Sequence, residues 1–157
     1  MAWASPGVVS VFQAINYLGD KRVLLPATLL LLWVAPPTER RRWWLWGGVM
    51  IAAPLLEGLG KELFGRPRPV GKAFGFPSGH ATAAAAYFFL AAYLVGKRLD
   101  QSGARVVLVW ILAGILIALV GLARIVLQAH WPGDALAGAA LGLACLSLAA
   151  WYHERSP

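Results

Sequence analysis

The stretch AFGFPSGHATAAAA (residues 73–86) places a serine, a glycine and a histidine at the start of an apolar run. The run continues without a charged residue to position 96 and is rich in alanine, the strongest helix former. Ser78 is of a residue type favoured at the N-cap, where its hydroxyl can accept a hydrogen bond from a backbone N–H of the first turn. We therefore predict an apolar helix over 81–96 with a polar cluster at its N-terminus.

The rest of the chain repeats this apolar character. Of 157 residues, 59% are hydrophobic and only 13% are charged, against roughly 25% charged in soluble domains. Five runs approach the ~20 residues that a helix needs to cross a bilayer. They occupy 23–37, 43–60, 81–96, 106–123 and 135–152. We predict an all-α polytopic membrane bundle of five to six helices, folded as one domain over 1–157.

The N-terminal segment has a different pattern. Ser5 is suited to an N-cap, Pro6 to the first helical position and Gly19 to the end of a helix. Apolar residues recur at helical spacing between them. These are Val8, Val11, Phe12, Ile15 and Leu18. The segment is either a short amphipathic helix lying in the interface or a sixth, short span.

The net charge of +7 comes from basic residues placed between the apolar runs, where they face anionic lipid headgroups rather than nucleic acid. If all five runs span, segments 19–22, 61–79 and 124–133 lie on one side of the membrane. Both sides carry similar numbers of basic residues, so the positive-inside rule alone does not orient the chain. We expect this side to face outward from a bacterial inner membrane, with membrane lipids as partners and no obligatory protein partner.

Three motifs fall on that side of the membrane. The first is KELFGRPRP (61–69), the second is PSGH (77–80) and the third is ARIVLQAHWPGD (123–134). Lysines and arginines at the ends of membrane helices commonly anchor them at the interface. Two histidines and an aspartate at the same depth are costly and indicate a function.

The residue types in these motifs suit phosphate chemistry. Lys61, Arg68 and Arg124 supply the fixed positive charge that a multiply charged oxyanion requires. Ser78 and Gly79 place a helix N-terminus at the same spot, with free N–H groups and room for close backbone approach. We interpret the five residues as a phosphate-binding site.

Two histidines indicate turnover as well as binding. Asp134 lies four residues after His130, so its carboxylate can accept from one imidazole nitrogen and leave the other free to attack. His80 could stand opposite and protonate the leaving oxygen. The two rings would need opposite protonation states, which predicts a bell-shaped pH profile. Since the surrounding cations would repel a metal ion, no cofactor is expected.

Taken together, the three motifs resemble the signature motifs of the type-2 phosphatidic acid phosphatase family, membrane lipid phosphatases related to vanadium haloperoxidases. The resemblance implies a metal-independent mechanism. It assigns phosphate binding to Lys61, Arg68, Ser78, Gly79 and Arg124, and catalysis to His80, His130 and Asp134. His130 would be the nucleophile that becomes phosphohistidine, Asp134 would orient it, and His80 would be the general acid. Ala123 departs from the family pattern, which usually has serine before the arginine.

The predicted function is hydrolysis of a lipid phosphate or diphosphate by an integral membrane phosphatase. Phosphatidate, phosphatidylglycerol phosphate and polyprenyl diphosphate are candidate substrates, and the short segment 70–76 leaves no extra domain to select among them. Two alternatives remain: a non-catalytic binder or carrier of anionic lipids, and a haloperoxidase that uses vanadate.

Neighbouring residues receive structural interpretations. Glu57 and Lys61 are four apart on one helix and predict an ion pair. Arg66 is expected either to assist phosphate binding or, as the preferred interpretation, to face lipid headgroups. Gly138 and Gly142 form a small-xxx-small pair that predicts close helix packing.

Overall fold

The computed structural model describes residues 5–99 and 103–155. Within these residues the chain forms seven α-helices and no strand apart from an isolated bridge between Pro67 and Phe74. The helices are α1 (Pro6–Asn16), α2 (Lys21–Val34), α3 (Pro37–Arg40), α4 (Trp43–Phe64), α5 (Gly79–Arg98), α6 (Ala104–Val126) and α7 (Pro132–Arg155). The predicted all-α class is confirmed, and the unforeseen helix is the four-residue α3.

In the part of the chain that the structure describes, three helices are long and apolar enough to cross a membrane: α5, α6 and α7, with 20, 23 and 24 residues. At 1.5 Å per residue each covers the ~30 Å hydrocarbon core. Helix α4 reaches 22 residues, but its C-terminal turns carry Glu57, Lys61 and Glu62. Helix α2 has 14 residues and spans only about 21 Å. Three of the five predicted spans therefore meet the requirement by length and composition.

Helix α5 lies at the centre of the bundle, where it packs against α2, α4, α6 and α7. Its residues from Ala81 to Ala86 are all buried, because alanine side chains let the neighbouring helices approach closely. On α7, a Cβ added to Gly138 would lie 2.4 Å from the carbonyl oxygen of Ser78, and one on Gly142 equally close to that of Thr82. The close packing predicted for these two glycines is present.

Helix α1 packs along α6, and its 11 residues are too few to span a bilayer. The Ser5 hydroxyl caps it by accepting from the N–H of Val8. A short 3₁₀ turn, Tyr17–Gly19, then leads into α2. A Cβ on Gly19 would lie 2.6 Å from Cγ1 of Val120 and 3.0 Å from the carbonyl oxygen of His80. Glycine at this position fixes the junction between α1 and α2 against α5 and α6.

At the opposite end of the bundle, polar side chains of α3, α5 and α7 meet. His153 Nε2 lies 3.0 Å from Oε1 of the buried Glu39, whose carbonyl accepts from Trp46 Nε1. Glu154 pairs with Lys97 and accepts from the Tyr93 hydroxyl. We call these six residues the closed end of the bundle. The contacts at the closed end bring α3 and the C-terminal ends of α5 and α7 to the same end of the bundle. The predicted alternation of the loops across the membrane requires this arrangement.

Candidate active site

The segment between α4 and α5 folds back over the helix ends. Gly65 terminates α4 in the left-handed region, with φ +54°, and its N–H donates to the Lys61 carbonyl. The N–H of Gly75 then donates to the Arg66 carbonyl at 2.7 Å, and Arg68 Nε donates to the Phe74 carbonyl at 3.2 Å. This reversal places the first motif beside the second.

A cavity of about 450 Å³ opens at this end of the bundle. Six of the eight predicted site residues line it: Lys61, Arg68, Gly79, His80, Arg124 and His130. They come from α4, α5, α6 and the two segments that precede α5 and α7. The remaining two predicted residues, Ser78 and Asp134, are fully buried next to residues that line the cavity. The structure therefore brings the three motifs together at one place.

Ser78 occupies the N-cap of α5 by its backbone geometry, but its hydroxyl makes no capping hydrogen bond. The prediction that the Ser78 hydroxyl accepts a hydrogen bond from the first turn of α5 is therefore wrong. Its N–H donates to the Asp134 carbonyl at 2.9 Å, which joins α5 to the start of α7. Within the described part of the chain, the buried Ser78 hydroxyl has no hydrogen-bond partner. A buried polar group without a partner costs free energy, so a hydrogen bond to this hydroxyl would be stabilising.

Gly79 has a packing reason to be glycine. A Cβ at this position would lie 2.9 Å from Oε1 of Glu57. Glu57 forms the predicted ion pair with Lys61 one helical turn further along α4. The close approach at Gly79 therefore brings the α4 carboxylate and its lysine against the N-terminus of α5.

His130 and Asp134 meet where α7 begins at Pro132. Asp134 Oδ2 accepts from the N–H of Trp131 at 2.9 Å and lies 3.7 Å from Nδ1 of His130. That distance is longer than a hydrogen bond, although catalytic hydrogen bonds are often long before the substrate binds. Since Nδ1 faces Asp134, Nε2 is the nitrogen left for the cavity.

The surroundings of His130 keep its ring neutral. Burial, together with the charges of Arg124 and Arg68, lowers the pKa of His130 from 6.5 to about 4, although the Asp134 carboxylate and a hydrogen bond with the Gly75 backbone oppose the shift. Below that pKa the ring would carry a proton on both nitrogens. At neutral pH, therefore, His130 has the free electron pair that a nucleophile needs.

Arg66 is placed differently from its sequence interpretation. Its Nη1 donates to Oδ1 of Asp134 at 3.0 Å, so the expectation that it faces lipid headgroups is wrong. The physical reason is the chain reversal between Arg66 and Gly75, which turns this arginine toward the first turn of α7. The buried carboxylate of Asp134 thus accepts from Arg66 on one oxygen and from Trp131 on the other.

Sequence reasoning also missed the contribution of the N-terminal segment. Asn16 Oδ1 accepts from Nη1 of Arg124 at 2.6 Å. Asp20, Lys21 and Arg22 line the cavity from the start of α2. The polar face of α1, which includes Asn16, was the available signal, but its partner lies 108 residues away.

No group of three His, Cys, Asp or Glu side chains in the described ranges is arranged to hold a metal ion. The side chains that converge on the cavity are mainly cationic. Such a set suits an oxyanion.

The family model of the PAP2 superfamily matches residues 42–157. The chain belongs to the PAP2 superfamily. It is 31% identical to phosphatidylglycerophosphatase B of Bacillus subtilis over 96% of this chain and 77% of that protein. It is 29% identical to decaprenylphosphoryl-5-phosphoribose phosphatase of Mycobacterium tuberculosis over 87% of this chain and 76% of that protein.

Solved structures agree with the family. The crystal structure of a transmembrane PAP2-type phosphatidylglycerolphosphate phosphatase from Bacillus subtilis matches with a TM-score of 0.88 and 28% identity, over 99% of this chain and 81% of that one. Aquifex aeolicus LpxE shares the fold, with a TM-score of 0.72 at 20% identity over 96% and 90% of the two chains.

These findings confirm the predicted family, fold class and enzyme class: the protein is a membrane lipid phosphatase. Lipid phosphates and membrane lipids are accordingly its partners. The membrane-crossing helices and bacterial relatives also support the predicted inner-membrane location.

Proposed function

We propose that the PAP2 enzyme removes a terminal phosphate from a membrane lipid by a metal-independent mechanism in which His130 is the nucleophile. The observation that carries this proposal is the position of His130. It is buried and neutral, it lies between the Asp134 carboxylate and the cavity, and the other wall of the cavity carries cations.

In the first step, His130 Nε2 attacks the phosphorus atom and forms an N–P bond. The bond between phosphorus and the lipid oxygen breaks on the opposite side, since in-line displacement keeps the two groups apart. His80, which takes up a proton when the negatively charged phosphate binds beside it, donates that proton to the departing oxygen. The products are phosphohistidine, a dephosphorylated lipid and a neutral His80.

In the second step, a water molecule enters from the side that the lipid has left. His80 takes a proton from this water, whose oxygen bonds to phosphorus while the N–P bond to His130 breaks. Inorganic phosphate leaves, His130 is again neutral, and His80 again carries its proton. Asp134 stabilises the positive charge that His130 develops in the first step and loses in the second.

The cations act on the three phosphoryl oxygens that lie around the line of displacement. Lys61, Arg68 and Arg124 line the cavity and suit this role, since fixed cations stabilise charge on the transferred group. The unpartnered Ser78 hydroxyl and the N-terminus of α5 at Gly79 add hydrogen-bond donors. The positions of these groups at the cavity, or directly beside it for Ser78, support this assignment.

The substrate is proposed to be phosphatidylglycerol phosphate or a polyprenyl diphosphate, with phosphatidate as a simpler substrate of the same class. The names of the relatives from Bacillus subtilis and Mycobacterium tuberculosis support this choice, because both proteins are named for phosphatase activity on phosphorylated lipids. We place the site at the outer face of the inner membrane, which labelling of cysteines introduced within 70–76 would test.

Phosphate release from a panel of lipid phosphates tests the mechanism. The purified wild type in detergent with EDTA should release phosphate, whereas His130→Ala should release it at least about 1,000-fold more slowly. Acid-labile label from a ³²P substrate should appear on the wild type only. Loss of wild-type activity in EDTA would contradict metal independence. Equal activity of His130→Ala would contradict the nucleophile, and no turnover of any lipid would favour the carrier alternative.

A further inference from the structure

We propose that Lys21 and Arg22 form a second phosphate-binding subsite on the leaving-group side of the cavity. The proposed function is its starting point, and the subsite narrows the substrate class to lipids whose departing part itself carries a phosphate. Such lipids include diphosphates and lipids with a phosphodiester beside the terminal phosphate.

The position of these two residues follows from the junction between α1 and α2. Both line the same cavity as His80 and His130. Gly19 packs directly against His80, with its absent Cβ only 3.1 Å from the Cβ of His80. Lys21 and Arg22 follow Gly19 by two and three residues, so they enter the cavity from the His80 side.

That side is the one from which the lipid departs. In-line displacement places the attacking His130 and the departing oxygen on opposite sides of phosphorus. His80 protonates the departing oxygen, so the chain next to His80 lies next to the leaving group. A phosphate attached to that oxygen would therefore be adjacent to Lys21 and Arg22.

The two side chains differ from the other cations of the cavity in having no partner. Lys61 pairs with Glu57, Arg124 donates to Asn16 and Arg68 donates to a backbone carbonyl. Among the described residues, neither the Lys21 ammonium nor the Arg22 guanidinium makes an ion pair or a hydrogen bond. Their donors are therefore free to bind an anionic ligand.

Charge and size agree with a second phosphate. Five cationic side chains and only two carboxylates, Asp20 and Glu57, line the cavity. A terminal phosphoryl group, with a charge near −2, leaves positive charge unbalanced. The volume of about 450 Å³ lies within the range of pockets that hold whole small-molecule ligands, so it has room for more than one phosphoryl group.

The phosphate group that Lys21 and Arg22 bind could belong to the substrate or to the headgroup of a neighbouring anionic lipid. A matched pair of substrates distinguishes these two sources. Phosphatidate and diacylglycerol diphosphate share one lipid and differ by a single phosphate. In neutral detergent micelles no other anionic lipid is present. A subsite for the substrate should then favour the diphosphate, whereas headgroup binding should favour neither.

The test compares the wild type with Lys21→Ala/Arg22→Ala and a control, Arg41→Ala/Arg105→Ala, which removes two exposed cations far from the cavity. The subsite variant should lose about 10- to 100-fold in kcat/KM for the diphosphate and less than about threefold for phosphatidate, because hydrogen bonds to charged groups contribute roughly this much. The control should retain both activities.

An equal loss on both substrates, or no loss on the diphosphate, would overturn the subsite. A loss confined to vesicles that contain anionic lipid, and equal for both substrates, would assign the cations to headgroup binding and overturn it as well. Failure of the wild type to release phosphate from either lipid would instead overturn the proposed function, and the subsite with it. Unchanged thermal unfolding of both variants shows that folding is intact.

Discussion

The two ends of the helix bundle each contain a histidine beside a carboxylate, and the two pairs differ. At the closed end, His153 Nε2 and Glu39 Oε1 lie 3.0 Å apart, within hydrogen-bond distance. At the active site, His130 Nδ1 and Asp134 Oδ2 lie 3.7 Å apart, beyond it. The histidine and the carboxylate are therefore close enough for a hydrogen bond at the closed end, but not at the active site.

The surroundings of the two pairs explain the difference. Trp46 packs its ring against His153 and donates to the Glu39 carbonyl, so one aromatic side chain of α4 contacts both members of the closed-end pair. His130 instead borders a cavity, and Asp134 receives its hydrogen bonds from Arg66 and Trp131. Both pairs keep buried atoms without a hydrogen-bond partner among the described residues, namely His130 Nδ1 at the active site and His153 Nδ1 and Glu39 Oε2 at the closed end. The two ends therefore differ in that, of these two histidines, only His130 borders the cavity of about 450 Å³.

The largest expected effect is the loss of activity when His130, but not His153, is replaced. His130→Ala should reduce kcat by at least about 1,000-fold, because removal of a nucleophile leaves only binding and electrostatic stabilisation. Phosphate release in detergent measures it. If His153→Ala lost as much activity as His130→Ala, the division into a catalytic and a structural pair would be wrong.

A smaller effect is expected at Arg66, which holds the carboxylate that faces His130. Arg66→Gln should lower kcat by about 10- to 100-fold with little change in KM, since a charged hydrogen bond to a buried carboxylate is lost. Steady-state kinetics measure kcat and KM separately. Arg66→Lys should restore part of kcat, and a variant that raised KM alone would place Arg66 on the substrate instead.

The pH dependence tests the environment of His130. With a pKa of about 4, His130 stays neutral as the pH falls from 7 to 5, so the acidic limb of kcat/KM should lie near pH 4. Removing a nearby cation favours the protonated ring, so Arg68→Gln should raise this limb by up to about one pH unit. The measurement is the pH at which kcat/KM falls to half of its maximum, which does not depend on the value of that maximum. If the acidic limb stayed at the same pH in Arg68→Gln, it would not report the protonation of His130.

The smallest effect on activity is expected at the closed end. His153→Ala should cost about 1–3 kcal/mol of stability, because it leaves the buried Glu39 carboxylate without its partner. Its kcat should stay within about twofold of wild type, since the pair lies at the opposite end from the cavity. Thermal unfolding in detergent and phosphate release measure the two. Loss of activity without loss of stability would contradict this assignment.

The comparison also shows what the sequence could reveal. His130 and Asp134 are four residues apart at one helix start, so their proximity follows from helical geometry alone. The pairing of Glu57 with Lys61 follows in the same way. The motifs themselves could be placed at one end of a bundle because apolar runs of near-spanning length separate them.

What the sequence could not reveal depends on the path of the chain between helices. Arg66 reaches Asp134 only because the segment before α5 reverses, and Asn16 reaches Arg124 only because α1 packs along α6. The hydrogen bond from the Ser78 N–H to the Asp134 carbonyl is of the same kind, since it joins the start of α5 to the start of α7. Tertiary contacts of this kind leave no periodic signal.

The close fit of Gly19 against His80 has a consequence for how such enzymes diversify. The family model begins at residue 42, so the segment carrying Asn16, Gly19, Lys21 and Arg22 lies outside the region that it describes. One wall of the cavity is thus built from a separate part of the chain. If Lys21 and Arg22 bind the departing phosphate as proposed, changes in the first two helices alter the lipid preference without changing the residues proposed to carry out hydrolysis.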